Sequence, residues 1–236
     1  MIHKMSQIGA FHADTGGDNQ DVICYGETKN YHVISLADGV SACSRAKSGA
    51  IISSSATTNL FLKKGDHFLE FSENQIADLL LSHILFELNR QAKKDAKELE
   101  AYSSTISSVL VDKKNNRMLC VNLGDSIILG IGNDRCRVLA APSDSSSGCC
   151  TTTTTAAALM LTVRKMDSDP FDSVVICSDG AWRLMFTQNR LRSDISDWLK
   201  KQDYDSIKSF LLRQELYDDC TFISLALRNA KGRRTA

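Results

Sequence analysis

The sequence lacks net charge: 28 Lys+Arg stand against 28 Asp+Glu, with a pI near 6.9. That removes the long-range attraction on which nucleic-acid and anionic-membrane binders rely, and only Lys231, Arg233 and Arg234 leave a small basic tail. No run approaches the ~18 apolar residues of a membrane span. Met1-Ile2-His3-Lys4 opens on no hydrophobic segment, so no signal peptide is expected. The eight cysteines (Cys24, Cys43, Cys120, Cys136, Cys149, Cys150, Cys177, Cys220) form no CxxC pair, and the five histidines (His3, His12, His32, His67, His83) show no zinc-like spacing. These absences point to a reduced, soluble, cytoplasmic protein whose cysteines are small buried hydrophobes. A Walker loop is also missing.

What is present is an apolar fraction of 43% in 236 residues, enough for one domain with a sizeable core. A single domain over residues 1–230 with a tail at 231–236 is expected. Short β-like runs open the chain at Ile8–Phe11, Asp21–Tyr25 and His32–Ala37. Ser44–Leu62 and Glu73–Glu100 read as helices; in the second, Ile76, Leu79, Leu80, Ile84 and Leu88 share a face and the Lys93–Glu100 charge run is a solvated end. The first is rich in Ser and Thr, poor helix formers, so tertiary packing must hold it. Four apolar runs, Ile106–Val111, Met118–Leu123, Ile127–Ile131 and Arg135–Ala140, read as an antiparallel meander. Pro142 to Val163 is of low complexity, with Ser145-Ser146-Ser147 and Thr151 through Thr155, and reads as a mobile flap in which Cys149-Cys150 is redox-sensitive only if exposed. A strand at Ser173–Cys177, helices near Asp194–Lys201 and Ser206–Gln214, and a strand at Cys220–Leu227 complete the order. Trp182 and Trp198 read as packing aromatics. The alternation suggests a sheet core with helices outside.

Acidic residues recur at strand ends. Asp38 closes Leu36-Ala37-Asp38-Gly39, Asp125 follows Leu123-Gly124, and Asp179 follows Cys177-Ser178, while Asp21 and the Asp218-Asp219 pair precede strands. Each alone is explained as a turn residue. If the strand ends meet at one edge of a sheet pair, the carboxylates converge where cations relieve their repulsion. An all-oxygen cluster selects Mg²⁺, Mn²⁺ or Ca²⁺, and two such ions about 3.5–4 Å apart suit phosphate-ester hydrolysis.

In order along nearly the whole chain, Asp18-Asn19-Gln20-Asp21, Ala37-Asp38-Gly39-Val40, Ser104-Thr105, Gly124-Asp125-Ser126, Ser178-Asp179-Gly180-Ala181-Trp182 and Asp218-Asp219-Cys220-Thr221 resemble the motifs of the metal-dependent Ser/Thr phosphatases of the protein phosphatase 2C type, in a compact bacterial-like form. The resemblance implies an α+β fold, a four-layer α-β-β-α sandwich of two antiparallel sheets flanked by helices, with metals at one end. It implies catalytic carboxylates at Asp21, Asp38, Asp179 and Asp218. Asp38, Asp179 and Asp218 would hold one Mn²⁺ or Mg²⁺ ion, and Asp21, Asp38 and the Gly39 carbonyl the other, with Asp218 preferred to Asp219. Asp125 would serve a third ion, but Arg183 stands where that ion's second acid belongs. The phosphate-binding Arg expected five residues before Asp21 is Gly16; His12, Arg45, Lys47 and Arg183 are the nearby cationic candidates. The His that follows the first Asp-Gly in some members is Val40. The implied reaction is hydrolysis of phosphoserine or phosphothreonine in proteins by a metal-bridging hydroxide, opposing a Ser/Thr kinase, by a monomer with no nucleic-acid or membrane partner. A pseudophosphatase that docks or senses phosphoproteins is the alternative, and a purely structural domain is the third reading.

Overall fold

The computed structural model describes residues 1–132, 135–143 and 150–227. Along the chain run β1 (Ile2–Gln7), α1 (Ala10–Asp14), β2 (Asp21–Glu27), β3 (Tyr31–Asp38), α2 (Ala46–Glu70), α3 (Glu73–Asp95), a 3-10 turn (Leu99–Tyr102), β4 (Ile106–Asp112), β5 (Arg117–Leu123), β6 (Ile127–Ile131) and β7 (Cys136–Ala140). Then follow α4 (Ala157–Met160), β8 (Thr162–Asp167), β9 (Ser173–Cys177), α5 (Asp179–Met185), the small hairpin β10 (Phe186–Thr187) and β11 (Arg190–Leu191), α6 (Ser193–Lys201), α7 (Tyr204–Leu212) and β12 (Cys220–Ala226). The main strands form two five-stranded antiparallel sheets, ordered β1-β12-β9-β6-β7 and β2-β3-β4-β5-β8.

Three apolar layers glue the sandwich together. Ile34, Leu36, Val109, Ile128, Val174, Ile176 and Ile223 fill the space between the sheets. Leu80, Ile84, Leu88 and Phe61 pack the α2–α3 layer onto one sheet through Leu110, Leu119 and Val121. Ile195, Leu199, Ile207 and Leu211 pack α6 and α7 onto the other through Leu129, Val175 and Phe222. This is the expected α-β-β-α sandwich.

The Ser/Thr-rich helix α2 is held as its composition demands, by tertiary contacts. Its hydroxyls turn inward: Ser53 meets Ser104 at 2.8 Å, Thr58 meets Ser35 at 2.8 Å, and Ser54 donates to the Ala50 carbonyl at 2.7 Å. It continues past Leu62 to Glu70, with a non-helical residue at Lys64. Helix α3 begins at a capping box, Ser72 with Gln75, and stops at left-handed Ala96, short of Glu100.

Four expectations fail on packing. Ile8–Phe11 is not a strand: Ala10 starts α1, and the preceding edge strand β1 carries too little apolar pattern to read. Leu79 is 47% exposed and lies off the buried face of α3. The four central strands are not one meander, because β4–β5 and β6–β7 are hairpins of different sheets. The chain crosses between them at Gly124, whose φ of +109° suits glycine. The stretch after Pro142 is not simply a flap. Thr151 and Thr152 are buried, the Thr152 amide donates to the Ser104 carbonyl, and Ala157 and Leu161 join the α2–α3 core. Residues 144–149, including Ser145–Ser147 and Cys149, and the tail at 231–236 lie outside the described residues.

Candidate metal centre

The register of the sheets brings the acidic motifs to one end. Asp21 starts β2 and Asp38 ends β3, and the two are direct cross-strand partners, so their side chains leave the same face. Like charges placed so oppose each other unless something offsets them. In the other sheet Cys177, at the end of β9, pairs with Ile127 at the start of β6 and with Phe222 near the start of β12. Asp125, Asp179 and Asp218 therefore leave the same end of that sheet, and the Gly124 crossing carries Asp125 to the first sheet's acidic end as well.

The local scaffolding is specific. The Asp38 amide donates to Thr105 Oγ1 at 2.9 Å, and the Thr105 amide returns a bond to the Asp38 carbonyl at 2.8 Å. Lys47 Nζ donates to the Asn19 and Asp21 carbonyls. Asp179 opens α5; its Oδ1 accepts from the Gly180 amide at 2.7 Å and its Oδ2 lies 3.3 Å from Arg183. Trp182 Nε1 donates to the Asp125 carbonyl at 2.7 Å. Gly9 and Gly180 allow the 218–219 backbone to pass between them: a Cβ on Gly9 would stand 2.3 Å from the Asp218 carbonyl carbon, and one on Gly180 2.2 Å from the Asp219 oxygen.

The electrostatics are those of a cluster short of positive charge. Both Asp21 oxygens and Asp125 Oδ1 are buried without a hydrogen-bond partner. Burial pushes the Asp21 carboxyl well above its usual range; the Thr221 and Ser178 hydroxyls stand near enough to oppose this but donate instead to Ser6 and to the Asp219 and Thr221 carbonyls, and the charges of Asp219 and Asp179 add to the rise. Asp38 is also pushed well up, by burial first and then by Asp21, Asp179, Asp125 and Asp218. Asp179 rises to about 6 through burial, Asp125 and Asp218, against Arg183. A hard divalent cation supplies what such oxygens lack, so the donor set fits Mg²⁺ or Mn²⁺. Among the described residues no three His, Cys, Asp or Glu side chains already enclose a single point. Ligation by three of these carboxylates would therefore run partly through water, which Mg²⁺ keeps in its coordination shell.

The two members of the acidic pair differ. Asp219 is spent on the fold: its oxygens accept from the Gly9 amide at 2.9 Å and the Gln20 amide at 2.6 Å, and His12 Nδ1 stands 2.9 Å away. Asp218 is half-buried, and its Oδ1 accepts from the Asp219 amide. Of the cationic candidates, His12 is buried against Asp219 and Ser41, Lys47 braces backbone, and Arg45 is exposed and acts on Asp95 and Tyr102. Arg183 pairs with Asp179, one of the candidate metal ligands, and its side chain is 62% exposed. Gly16 is in the left-handed region with nothing within 4 Å of its Cβ position. Sequence reasoning missed the bracing by Lys47, Trp182 and Thr105, and no local pattern signals it.

The family model for protein phosphatase 2C matches residues 8–217. The chain belongs to the protein phosphatase 2C family. Solved structures share the fold at low identity. Serine/threonine phosphatase Stp1 from Staphylococcus aureus is 14% identical, with a TM-score of 0.70 over 97% of this chain and 95% of that one. The catalytic domain of the phosphatase PstP, solved with two manganese ions, is 15% identical, with a TM-score of 0.69 over 95% and 96%. RsbX, solved with magnesium, is 14% identical, with a TM-score of 0.58 over 94% and 92%. No curated protein sequence matches. Among the described residues no helix is long and apolar enough to cross a membrane.

Proposed function

We propose that this protein phosphatase 2C member is a catalytically competent Ser/Thr phosphatase using two divalent ions, Mn²⁺ or Mg²⁺. The observation that carries the reading is the direct pairing of Asp21 with Asp38, with the Asp21 oxygens buried and unpartnered. A buried like-charge cluster is costly to keep without its cations, and a purely structural domain has no use for it. Asp38 would serve both ions, Asp179 and Asp218 would complete one, and Asp21 with the Gly39 carbonyl would complete the other. The bonding of Asp219 supports the choice of Asp218. When bound, the ions supply an activated water and neutralise charge on the phosphoryl group.

The chain's own groups then place the substrate. Arg183 lies at the rim and exchanges its contact with Asp179 for a phosphate oxygen, filling the role left open at Gly16. The same Arg, standing where an acid would assist Asp125, disfavours a third ion. The substrate is a phosphoserine or phosphothreonine protein, opposing a Ser/Thr kinase in the cytoplasm, and the enzyme acts as a monomer. The test is turnover of a phosphothreonine peptide with Mn²⁺ or Mg²⁺ and then with excess chelator, beside Asp38→Ala and Asp179→Ala. Metal-dependent turnover absent from both variants is expected. A wild type as inactive as the variants with both metals favours the phosphoprotein-docking reading.

A further inference from the structure

His12 lies outside every motif, yet it is 4% exposed and its two ring nitrogens face opposite halves of the sandwich. Nδ1 stands 2.9 Å from Asp219 Oδ2, on the segment that leads into β12. Nε2 stands 3.0 Å from Ser41 Oγ, two residues beyond Gly39 on the loop that leaves β3. Nε2 is hydrogen-bonded to Ser41, whereas Nδ1 meets the Asp219 carboxylate as a close polar contact without hydrogen-bond geometry, and each neighbour belongs to a stretch bearing candidate metal ligands.

The connections continue outward from the pair. Asp219 also accepts from the Gln20 amide, one residue before Asp21, and the Gln20 carbonyl accepts from the Gly39 amide at 3.3 Å. Helix α1, which carries His12, is itself bolted to the 216–219 stretch. The Gly9 amide donates to Asp219, and the Ala10 and Phe11 amides donate to the Leu216 and Tyr217 carbonyls at 2.8 and 3.0 Å. One buried pair thus touches the Asp21, Gly39 and Asp218 segments, which come from both sheets.

We infer that His12, with Asp219, is a positioning residue that clips the ligand segments of the two sheets together and so sets the affinity of the centre for divalent ions. The role is distinct from coordination: each Asp219 oxygen already accepts a backbone amide, from Gly9 and from Gln20, and His12 faces Asp219 and Ser41. Removing the clip leaves the ligands in place on their own strands but frees the two sets to separate. Metal affinity then falls while chemistry at saturating metal survives. Outer partners of metal ligands are typically worth about 10–100-fold in affinity.

The inference rests on the metal-centre reading, and its test separates the two. Mn²⁺ binding to the metal-free full chain is measured by titration calorimetry for wild type, His12→Gln and Ser41→Ala, with melting in chelator and turnover at saturating Mn²⁺ recorded alongside. The dissociation constant is expected to rise on the order of tenfold or more in His12→Gln and by less in Ser41→Ala, with saturated turnover close to wild type. An unchanged dissociation constant in a folded His12→Gln overturns the inference even where the melting temperature falls, since that is the mark of a merely structural contact. If His12→Gln does not fold, an unchanged constant in Ser41→Ala overturns it instead. A wild type that takes up no Mn²⁺ overturns the metal-centre reading and the inference with it.

Discussion

Both ends of the sandwich carry carboxylates at strand termini, and the two sets live in opposite surroundings. At the end away from the motifs, Asp112 closes β4 and is 2% exposed, but it accepts from the Lys114 and Asn115 amides and the Asn115 side chain, with Arg117 at 3.5 Å. Burial opposes its charge, the bonds from Asn115 and Lys114 and the Arg117 charge outweigh it, and its pKa is lowered. Glu27, ending β2, is lowered to about 2 by hydrogen bonds from Lys113 and Tyr25. At the motif end Asp21 and Asp38 are pushed up, and Asp179 reaches about 6. A carboxylate at a strand end is held ionised where protein donors surround it, and is driven toward the protonated form where burial and neighbouring acids do.

The largest test of that contrast is on turnover. Asp38→Ala is expected to lower phosphopeptide hydrolysis on the order of 10²–10³-fold or more, the scale of losing one preorganised electrostatic group. Asp112→Asn should leave turnover unchanged and instead lose about 1–3 kcal/mol of stability, read by denaturant unfolding. Metal should act on one end only. At 100 times its dissociation constant Mn²⁺ contributes about 2.7 kcal/mol, roughly 5–10 °C in melting temperature for a chain of this size. That gain should vanish in Asp38→Ala and persist in Asp112→Asn.

The pH dependence separates the ends by sign. A raised carboxylate binds protons more tightly in the folded state, so its contribution is present below about pH 4 and lost as pH rises, through about 6 for Asp179. Metal-free protein should therefore lose stability over that interval, and Asp179→Asn should flatten the fall. Asp112 and Glu27 work the other way, contributing above the ordinary carboxylate range and losing that contribution as pH falls. Melting curves in chelator across pH, for wild type and Asp179→Asn, decide this. The smallest effect is expected at the rim: Arg183→Ala should raise KM for the phosphopeptide roughly tenfold, the worth of a charge-assisted hydrogen bond, with kcat nearly unchanged.

Much of the fold, and the position of the acidic motifs, was legible in the sequence. The central strands announced themselves as apolar runs because they are buried on both faces, as in β4 and β6. The edge strands β1 and β8 did not, since each presents one partly buried face and alternates with Lys, Arg or Asp. Motif order marked the acidic residues, and the register of β2 on β3 brings the first two together. What the sequence withheld was the state of each carboxylate. Asp218 and Asp219 are chemically identical neighbours, and only the amides of Gly9 and Gln20 and the distant His12 tell them apart.

The most direct measurement is anomalous diffraction at the manganese edge from crystals grown with Mn²⁺. Two peaks about 3.5–4 Å apart, bridged by Asp38 and flanked by Asp21, Asp179 and Asp218, with none at Asp112, are the expected result. Crystals saturated in Mn²⁺ that show no peak among those four carboxylates would contradict the account.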